Sequence, residues 1–140
     1  MRILGIIPTR YASSRFPGKA LADIGGKPMI QWVYEQSKMS SFLTELIVAT
    51  DDERIFDRCT ALNIPVEMTA DYHRSGTDRC AEVAKKHPDF EAVIYIHCDE
   101  PFIMPIQIDI LAKTLLQNDS AEIATLAKFI QSQEELDDPD

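Results

Sequence analysis

The chain opens on the run Ile3-Leu4-Gly5-Ile6-Ile7, which Pro8 follows directly. The run is short, carries no charge and lacks the alternation of polar and apolar residues that marks a half-exposed strand. Strands that are buried on both faces, as in parallel sheets, have this continuous apolar pattern. The sequence therefore predicts a buried strand of a parallel sheet over residues 3–7, ended by Pro8.

The loop that leaves this strand is basic on an acidic protein. Residues 1–27 hold five basic residues and one acid, whereas the whole 140-residue chain has 14 basic and 23 acidic residues and a net charge of −9. Open α/β sheets bind ligands at the carboxyl ends of their strands, and the cations Arg10, Arg15 and Lys19 suit a polyphosphate there. The loop therefore predicts a triphosphate site, with a solvated basic loop as the alternative.

Strand and helix patterns alternate along the rest of the chain. They predict helices at 28–38, 52–62, 78–86 and 105–117, and strands at 45–49, 64–68, 92–96 and 123–127. This alternation indicates one α/β domain with a mainly parallel sheet, over residues 1–130. The last ten residues hold five acids and no base, so 131–140 is predicted to be a mobile tail or a truncated connection.

The same patterns predict how two of the helices begin and face the core. Thr50 or Asp51 is the predicted N-cap of the helix at 52–62, a role that we favour over metal binding because caps are common. The helix at 105–117 is predicted to face the core with Ile106, Ile110, Leu111 and Leu115.

The loop before the helix at 78–86 has the composition of a ligand-binding turn. Gly76 allows close approach of the backbone, and the hydroxyl groups of Ser75 and Thr77 lie beside the free amides of a helix start. These groups suit an anion or the edge of a base. Simple capping of the helix by Thr77 is equally consistent with the spacing.

A carboxylate follows the predicted strand at 92–96. Asp99 lies just past this strand, at the edge of the sheet that the basic loop also reaches. Mg²⁺ prefers one or two carboxylates together with waters and phosphate oxygens, so Asp99 is the predicted metal ligand. The alternative is a turn aspartate before Pro101 that binds nothing.

Several blocks of the sequence resemble one enzyme family. The first block reads Ile7-Pro8-Thr9-Arg10-Tyr11-Ala12-Ser13-Ser14-Arg15-Phe16-Pro17-Gly18-Lys19. The later blocks are ATDDERI at 49–55, HRSGTDR at 73–79 and DEPFI at 99–103. In this order they resemble the N-terminal portion of the 3-deoxy-manno-octulosonate cytidylyltransferases, over most of residues 1–105.

The resemblance implies a fold and a reaction. The implied fold is a Rossmann-like three-layer sandwich of the nucleotide-diphospho-sugar transferase type. The implied reaction, which uses Mg²⁺, transfers CMP from CTP to the acidic sugar 3-deoxy-D-manno-octulosonate (Kdo) for lipopolysaccharide biosynthesis and releases pyrophosphate. Full-length members of the family are longer homodimers, so this chain resembles their nucleotide-binding half. The alternatives are another acidic sugar, such as sialic acid, and a non-catalytic CTP-binding module.

The resemblance also implies roles for individual residues. Arg15, Lys19 and Asp99 match catalytic positions, and Asp99 is the implied Mg²⁺ ligand. The residues implied to contact nucleotide or sugar are Pro8, Thr9, Arg10, Ser13, Ser14, Arg74, Ser75, Gly76 and His97. The chain departs from the family at His97-Cys98, where Gln-Gly is usual, and an imidazole imitates only part of a glutamine amide. We favour a substrate contact for His97 over a catalytic base or a metal ligand.

Composition argues against several classes of protein. No apolar run approaches the roughly 20 residues of a membrane span, and signal-peptide features are absent, so the prediction is a cytoplasmic protein with no membrane partner. Cys59, Cys80 and Cys98 lack CxxC spacing and are predicted to be reduced thiols. The net charge of −9 argues against a nucleic-acid partner.

Overall fold

The computed structural model of the chain describes residues 1–12 and 16–137. Its strands are β1 (Ile3–Thr9), β2 (Asp23–Ile24), β3 (Lys27–Pro28), β4 (Glu45–Thr50), β5 (Val66–Met68) and β6 (Ala92–Tyr95). Its helices are α1 (Met29–Lys38), α2 (Glu53–Ala61), α3 (Gly76–Lys86), α4 (Pro105–Gln117) and α5 (Gln133–Asp137), with a 3₁₀ turn at Lys19–Leu21.

The main sheet is parallel and has the strand order β5-β4-β1-β6. β1 pairs with β4 from Leu4 to Thr9 and with β6 from Ile3 to Ile6. Because neighbouring parallel strands point the same way, the segments after β1, β4 and β6 all leave from one edge of the sheet. The small strands β2 and β3 pair antiparallel, apart from this sheet.

Helices cover both faces of the main sheet. On one face, Cys80 and Val83 of α3 pack against buried residues of β1 and β4. On the other face the buried helix residues are Ile30 and Val33 of α1, Ile55 and Cys59 of α2, and Ile108 and Ala112 of α4. The predicted α/β three-layer sandwich with a parallel sheet is therefore confirmed.

β1 is buried along its whole length and runs two residues past its predicted end. The prediction that Pro8 ends the strand is wrong, because the strand continues through Pro8 to Thr9. The Ile96 amide donates a hydrogen bond to the Ile6 carbonyl at 2.9 Å, on the side of β1 that faces β6. Pro8 is the next residue of β1 whose backbone groups point to that side. Since the paired register with β6 ends at Ile6, proline at this position removes no hydrogen bond of the ladder.

The N-cap of α2 also differs from the prediction. Asp52 is the cap, and its carboxylate accepts a hydrogen bond from the Arg54 amide at 2.9 Å. Thr50 is instead the buried last residue of β4, and its hydroxyl accepts a hydrogen bond from the Asp52 amide at 3.2 Å. Asp51 forms an ion pair with Arg79. The helix begins later because both predicted caps have other roles.

α4 has the predicted bounds but a different buried face. Ile108 and Ala112 are buried, whereas Ile106 and Ile110, which we predicted to face the core, are 50% and 45% exposed. Leu111 packs against the core as predicted. Because α4 carries apolar residues on more than one face, periodicity alone does not identify the face that the sheet covers.

The prediction of a strand at 123–127 is wrong. Within the described residues the main sheet has four strands, and none of them includes this segment. Ile123 is 89% exposed and Leu126 is 44% exposed, so the apolar run has neither a pairing strand nor a core to cover it. Residues 122–128 instead line a groove of about 720 Å³ beside β6 and α4.

The acidic end of the chain contains the short helix α5, which has no buried residue. Lys128 forms an ion pair with Glu135, and the Gln131 amide donates to the Glu135 carboxylate at 2.8 Å. The division of the chain near residue 130 and the mobility of the tail stay predictions. Among the helices of residues 1–12 and 16–137, none is long and apolar enough to cross a membrane.

Candidate functional site

Three segments of the chain meet in a cavity at the carboxyl edge of the sheet. The end of β1, the loop into α3 and the residues after β6 surround a space of about 220 Å³. The predicted site residues in its wall are Pro8, Thr9, Arg10, Arg74, Ser75, Gly76, His97 and Asp99. The wall also contains His73, Arg79, Tyr95 and Cys98.

Lys19 and Asp99 join the basic loop to the segment after β6. The Lys19 Nζ atom lies 3.0 Å from the Asp99 Oδ2 atom, and both side chains are 43% exposed. Burial raises the pKa of Asp99, but its hydrogen bond to Lys19 and the lysine charge outweigh this effect and hold the pKa below its ordinary value. Asp99 is therefore an ionised carboxylate in the cavity wall at neutral pH.

The start of α3 supplies hydrogen-bond donors to the wall. Ser75 is the N-cap, and its Oγ atom accepts a hydrogen bond from the Asp78 amide at 3.1 Å. Thr77, the alternative cap, lies inside the helix. The first amides of a helix lack intrahelical partners, and its N-terminus carries partial positive charge. This end of the cavity is therefore suited to an anionic or hydrogen-bonding ligand.

The charge of the wall favours an anion. Arg10 and Arg74 are exposed residues of the wall, and Arg79 is buried beside them. Asp99 is the one acid that the described residues contribute to the wall. Arginine forks bind phosphate groups well, so a ligand that carries phosphate matches this cavity.

The predicted residues Ser13, Ser14 and Arg15 lie outside the described residues. The segments on either side of them are held together beside α2. The Gly18 amide donates a hydrogen bond to the Tyr11 carbonyl at 2.9 Å, and the Arg54 guanidinium carbon lies 3.3 Å from the centre of the Tyr11 ring. Gly18 has a φ of 71°, and a Cβ atom there would lie 2.9 Å from the Tyr11 ring. Glycine at this position therefore permits the loop to close on Tyr11.

A cavity with this charge and this place in a parallel sheet suits a nucleotide. The family model described as cytidylyltransferase matches residues 4–140 of the chain. The chain belongs to this family. The resemblance that the opening loop and the later sequence blocks indicate is therefore confirmed.

Curated relatives of this cytidylyltransferase family member share nearly half of its residues. The 3-deoxy-manno-octulosonate cytidylyltransferase of Parabacteroides distasonis is 49% identical over 138 residues, which are 98% of this chain and 54% of the relative. The protein of the same name from Geobacter metallireducens is 48% identical over 132 residues, which are 94% of this chain and 52% of the relative. The chain thus spans about half the length of the curated relatives it matches.

Solved structures agree with this family membership. CMP:2-keto-3-deoxy-manno-octonic acid synthetase, solved in complex with CTP, is 41% identical and superposes with a TM-score of 0.80 over 86% of this chain and 49% of its own. A cytidylyltransferase from Leptospira borgpetersenii is 21% identical, with a TM-score of 0.75 over 86% of this chain and 51% of its own. The second likeness supports the fold alone.

Arg79 is a residue of the candidate site that was not predicted from the sequence. Its side chain is 4% exposed, and its Nη2 atom lies 2.7 Å from the Asp51 Oδ2 atom. The guanidinium also donates to the Thr69 hydroxyl and, at 3.4 Å, to the Ala70 carbonyl. It therefore ties α3 to the end of β4 and to the start of the loop at 69–75. One feature of the sequence indicated that Arg79 faces the core, because it lies four residues before the apolar Val83 on the same helix face.

Glu82 holds the same loop at two points. Its Oε2 atom accepts a hydrogen bond from the Ala70 amide at 3.0 Å and lies 2.6 Å from the Nε2 atom of His73. Its Oε1 atom lies 2.8 Å from the Lys86 ammonium group. Hydrogen bonds from Lys86, His73 and Ala70 lower the pKa of Glu82 to about 2. The loop is thus fixed to α3 while Arg74 and Ser75 reach the cavity.

Tyr95 and His97 form an aromatic part of the wall. Their ring centroids are 4.6 Å apart and their planes meet at 63°. His97 was predicted from the sequence, whereas Tyr95 was not, because the run at 92–96 does not show which strand residues face a cavity. Burial, followed by the charge of Asp99, raises the pKa of the Cys98 thiol. Cys98 is therefore a neutral thiol at neutral pH.

Proposed function

We propose that this chain is the nucleotide-binding half of a cytoplasmic, Mg²⁺-dependent enzyme that transfers CMP from CTP to Kdo for lipopolysaccharide biosynthesis. The observation that carries the proposal is one cavity that joins Arg10 after β1, Ser75 and Gly76 at α3, and Asp99 after β6. The names of the relatives support the choice of CTP and Kdo.

Charge decides the proposed roles of the residues. A hydroxyl of the sugar attacks the α-phosphorus of CTP in line and gives up its proton to water, the bond between the α-phosphorus and the bridging oxygen breaks, and pyrophosphate leaves. Arg10, Arg15 and Lys19 are proposed to neutralise the negative charge of the leaving group. Ser75 and the free amides at the start of α3 are proposed to fix the nucleotide, with Pro8, Thr9, Ser13, Ser14, Arg74, Gly76 and His97 as further contacts.

The donor set of the cavity fits a magnesium ion that phosphate oxygens help to hold. Asp99 is ionised and lies in the wall. No group of three or more His, Cys, Asp or Glu side chains gathers to hold a metal within residues 1–12 and 16–137. Mg²⁺ commonly takes one or two carboxylates plus waters and substrate phosphates instead of such a cage. Asp99 is proposed to hold the ion, which when bound would polarise and orient phosphate oxygens.

The proposed compartment and assembly rest on other features. Cys59, Cys80 and Cys98 are free thiols, which is the state that a reducing cytoplasm maintains. The family resemblance supports a homodimer as the working state of the whole protein.

Isothermal titration calorimetry tests the proposed nucleotide site. CTP and ATP are titrated, with and without Mg²⁺, into the wild-type chain, Asp99→Asn and Glu100→Gln. Glu100 is the matched control, since it is the adjacent exposed carboxylate and lies outside the cavity wall. We expect Mg²⁺-dependent binding that favours CTP and that Asp99→Asn weakens by about tenfold or more, while Glu100→Gln leaves it unchanged.

Two results would contradict the proposal. If the wild-type chain binds no CTP at any Mg²⁺ concentration, the cavity is not a nucleotide site. Equal losses in Asp99→Asn and Glu100→Gln would show that Asp99 has no specific role in the binding of the metal and the nucleotide.

A further inference from the structure

Tyr95 lies in the nucleotide cavity against the first residue of α3. A Cβ atom built on Gly76 would lie 2.4 Å from the Tyr95 hydroxyl oxygen and 2.8 Å from its Cε2 atom. The Tyr95 ring also lies 4.6 Å, between centroids, from the ring of His97. Tyr95 therefore connects the helix start to the segment after β6 within the cavity wall.

The contact with Tyr95, and not the backbone conformation, requires glycine at position 76. The glycines with positive φ in the described part of the chain are Gly18, Gly25 and Gly26, so Gly76 has a conformation that any residue adopts. The three atoms nearest to a Cβ at this position all belong to Tyr95. Any larger residue at position 76 would displace the tyrosine, so the Tyr95 ring keeps its position only while residue 76 is glycine.

The size and lining of the cavity indicate which part of a nucleotide lies against Gly76 and Tyr95. The volume of about 220 Å³ is below the roughly 300–1,000 Å³ of pockets that enclose a drug-sized ligand. A whole nucleotide therefore extends beyond the cavity, with different groups of the ligand against its charged and its aromatic residues. Phosphates need charge, whereas aromatic side chains bind the flat faces and edges of bases. The base is thus the part that suits Tyr95 and His97.

We propose that Tyr95 is a specificity-determining residue that restricts the base to a single-ring pyrimidine. Its ring fills the space between Gly76 and His97 that the second ring of a purine would occupy. The inference rests on the proposed function, because it concerns the base of the nucleotide that this cavity takes.

Replacement of the tyrosine ring tests the inference. Tyr95→Val keeps a residue of high strand propensity in β6 but removes the ring. Calorimetry with Mg²⁺ compares CTP and ATP in this variant, in the wild type and in Tyr72→Val. Tyr72 is the matched control, because it is a 78% exposed tyrosine outside the cavity wall.

We expect opposite changes for the two nucleotides in Tyr95→Val. CTP binding should weaken by about 5-fold to 150-fold, because the base loses an aromatic contact. The preference for CTP over ATP should fall by about tenfold or more, because the enlarged cavity accepts a purine. Tyr72→Val should keep the wild-type preference. An unchanged CTP-to-ATP preference in Tyr95→Val would overturn the inference.

A second pair of variants tests the contact with Gly76 directly. Gly76→Ala should weaken CTP binding in the wild-type chain, because the new methyl group displaces Tyr95. In the Tyr95→Val chain the same alanine should have little effect, so the two changes should be strongly non-additive. Equal effects of Gly76→Ala in both chains would overturn the steric argument.

The two proposals fail in different ways. If the wild-type chain binds no CTP, the proposed function and this inference are both wrong. If the wild-type chain binds CTP with Mg²⁺ and Tyr95→Val leaves the preference unchanged, the proposed function stands and this inference alone is wrong.

Discussion

The loop before α3 and the segment after α4 are held in opposite ways. In the loop at 69–75, buried Arg79 and the carboxylate of Glu82 bind backbone and side-chain groups. In the segment at 120–130, Ile123 and Phe129 are 89% and 91% exposed. The loop is mostly polar and yet is well anchored, whereas the segment is more apolar and is not. Buried polar partners, and not apolar content, therefore position the residues of the candidate site.

Removal of Arg79, which anchors the loop at 69–75, should cause the largest loss of stability. Arg79→Ala leaves Asp51 without its partner in a largely buried place, which should lower the free energy of unfolding by about 3 kcal/mol or more. Urea unfolding at pH 7 measures the loss. Arg58→Ala, which removes an exposed arginine from α2, should change the same quantity by less than about 0.5 kcal/mol. Similar losses in the two variants would show that Arg79 does not anchor the loop.

Neutralisation of Glu82 should have a smaller, pH-dependent effect. The pKa of Glu82 is about 2 in the folded chain, against an ordinary value of 4.5. Because the folded value is the lower one, the ionised carboxylate stabilises the fold fully above pH 4.5, and this contribution is lost as the pH falls toward 2. Glu82→Gln should therefore be less stable than the wild type at neutral pH and should lose less stability on acidification.

Urea midpoints measured between pH 2 and pH 7 check this prediction for Glu82. Glu122→Gln is the control from the segment after α4, where the carboxylate is exposed, and it should keep the wild-type dependence on pH. An identical pH dependence of stability in Glu82→Gln and in the wild type would show that the Glu82 carboxylate does not anchor the loop at 69–75.

Truncation of an apolar residue in the segment after α4 should have the smallest effect. Ile123→Ala should change the free energy of unfolding by less than about 0.5 kcal/mol, because the side chain is 89% exposed. The same change at Ile108, which is 1% exposed in α4, should cost about 2–5 kcal/mol. Urea unfolding compares the two variants. A large loss in Ile123→Ala would mean that this segment packs against the rest of the chain.

Much of the fold was predictable because its signals are local. The continuous apolar run at Ile3–Ile7 indicated a buried strand, and the proline at 105 and the apolar period indicated the full extent of α4. The candidate site was predictable for a related reason. Arg10 directly follows β1, and Asp99 lies shortly after the neighbouring parallel strand β6, so the topology of the sheet places them at one edge.

The remaining features depend on contacts between distant parts of the chain. Arg79 and Asp51 lie 28 residues apart, so neither residue type reveals the pair. Tyr95 was not predicted as a site residue because a run of apolar letters does not show which face of a strand meets a cavity. The apolar run at 123–127 failed as a strand because a strand needs a partner, and no local pattern supplies one.

The contact between Lys19 and Asp99 gives the carboxylate a counter-ion before any ligand binds. In the structure, the ammonium group satisfies the carboxylate at 3.0 Å. Under the proposed function, a phosphate group draws Lys19 away, and a cation must then replace it beside Asp99. Under this proposal the affinities for nucleotide and cation are thermodynamically linked, and each ligand raises the affinity for the other by the same factor. The proposal also makes the lysine a competitor of free cations for Asp99, so the chain should bind the cation weakly until the nucleotide arrives.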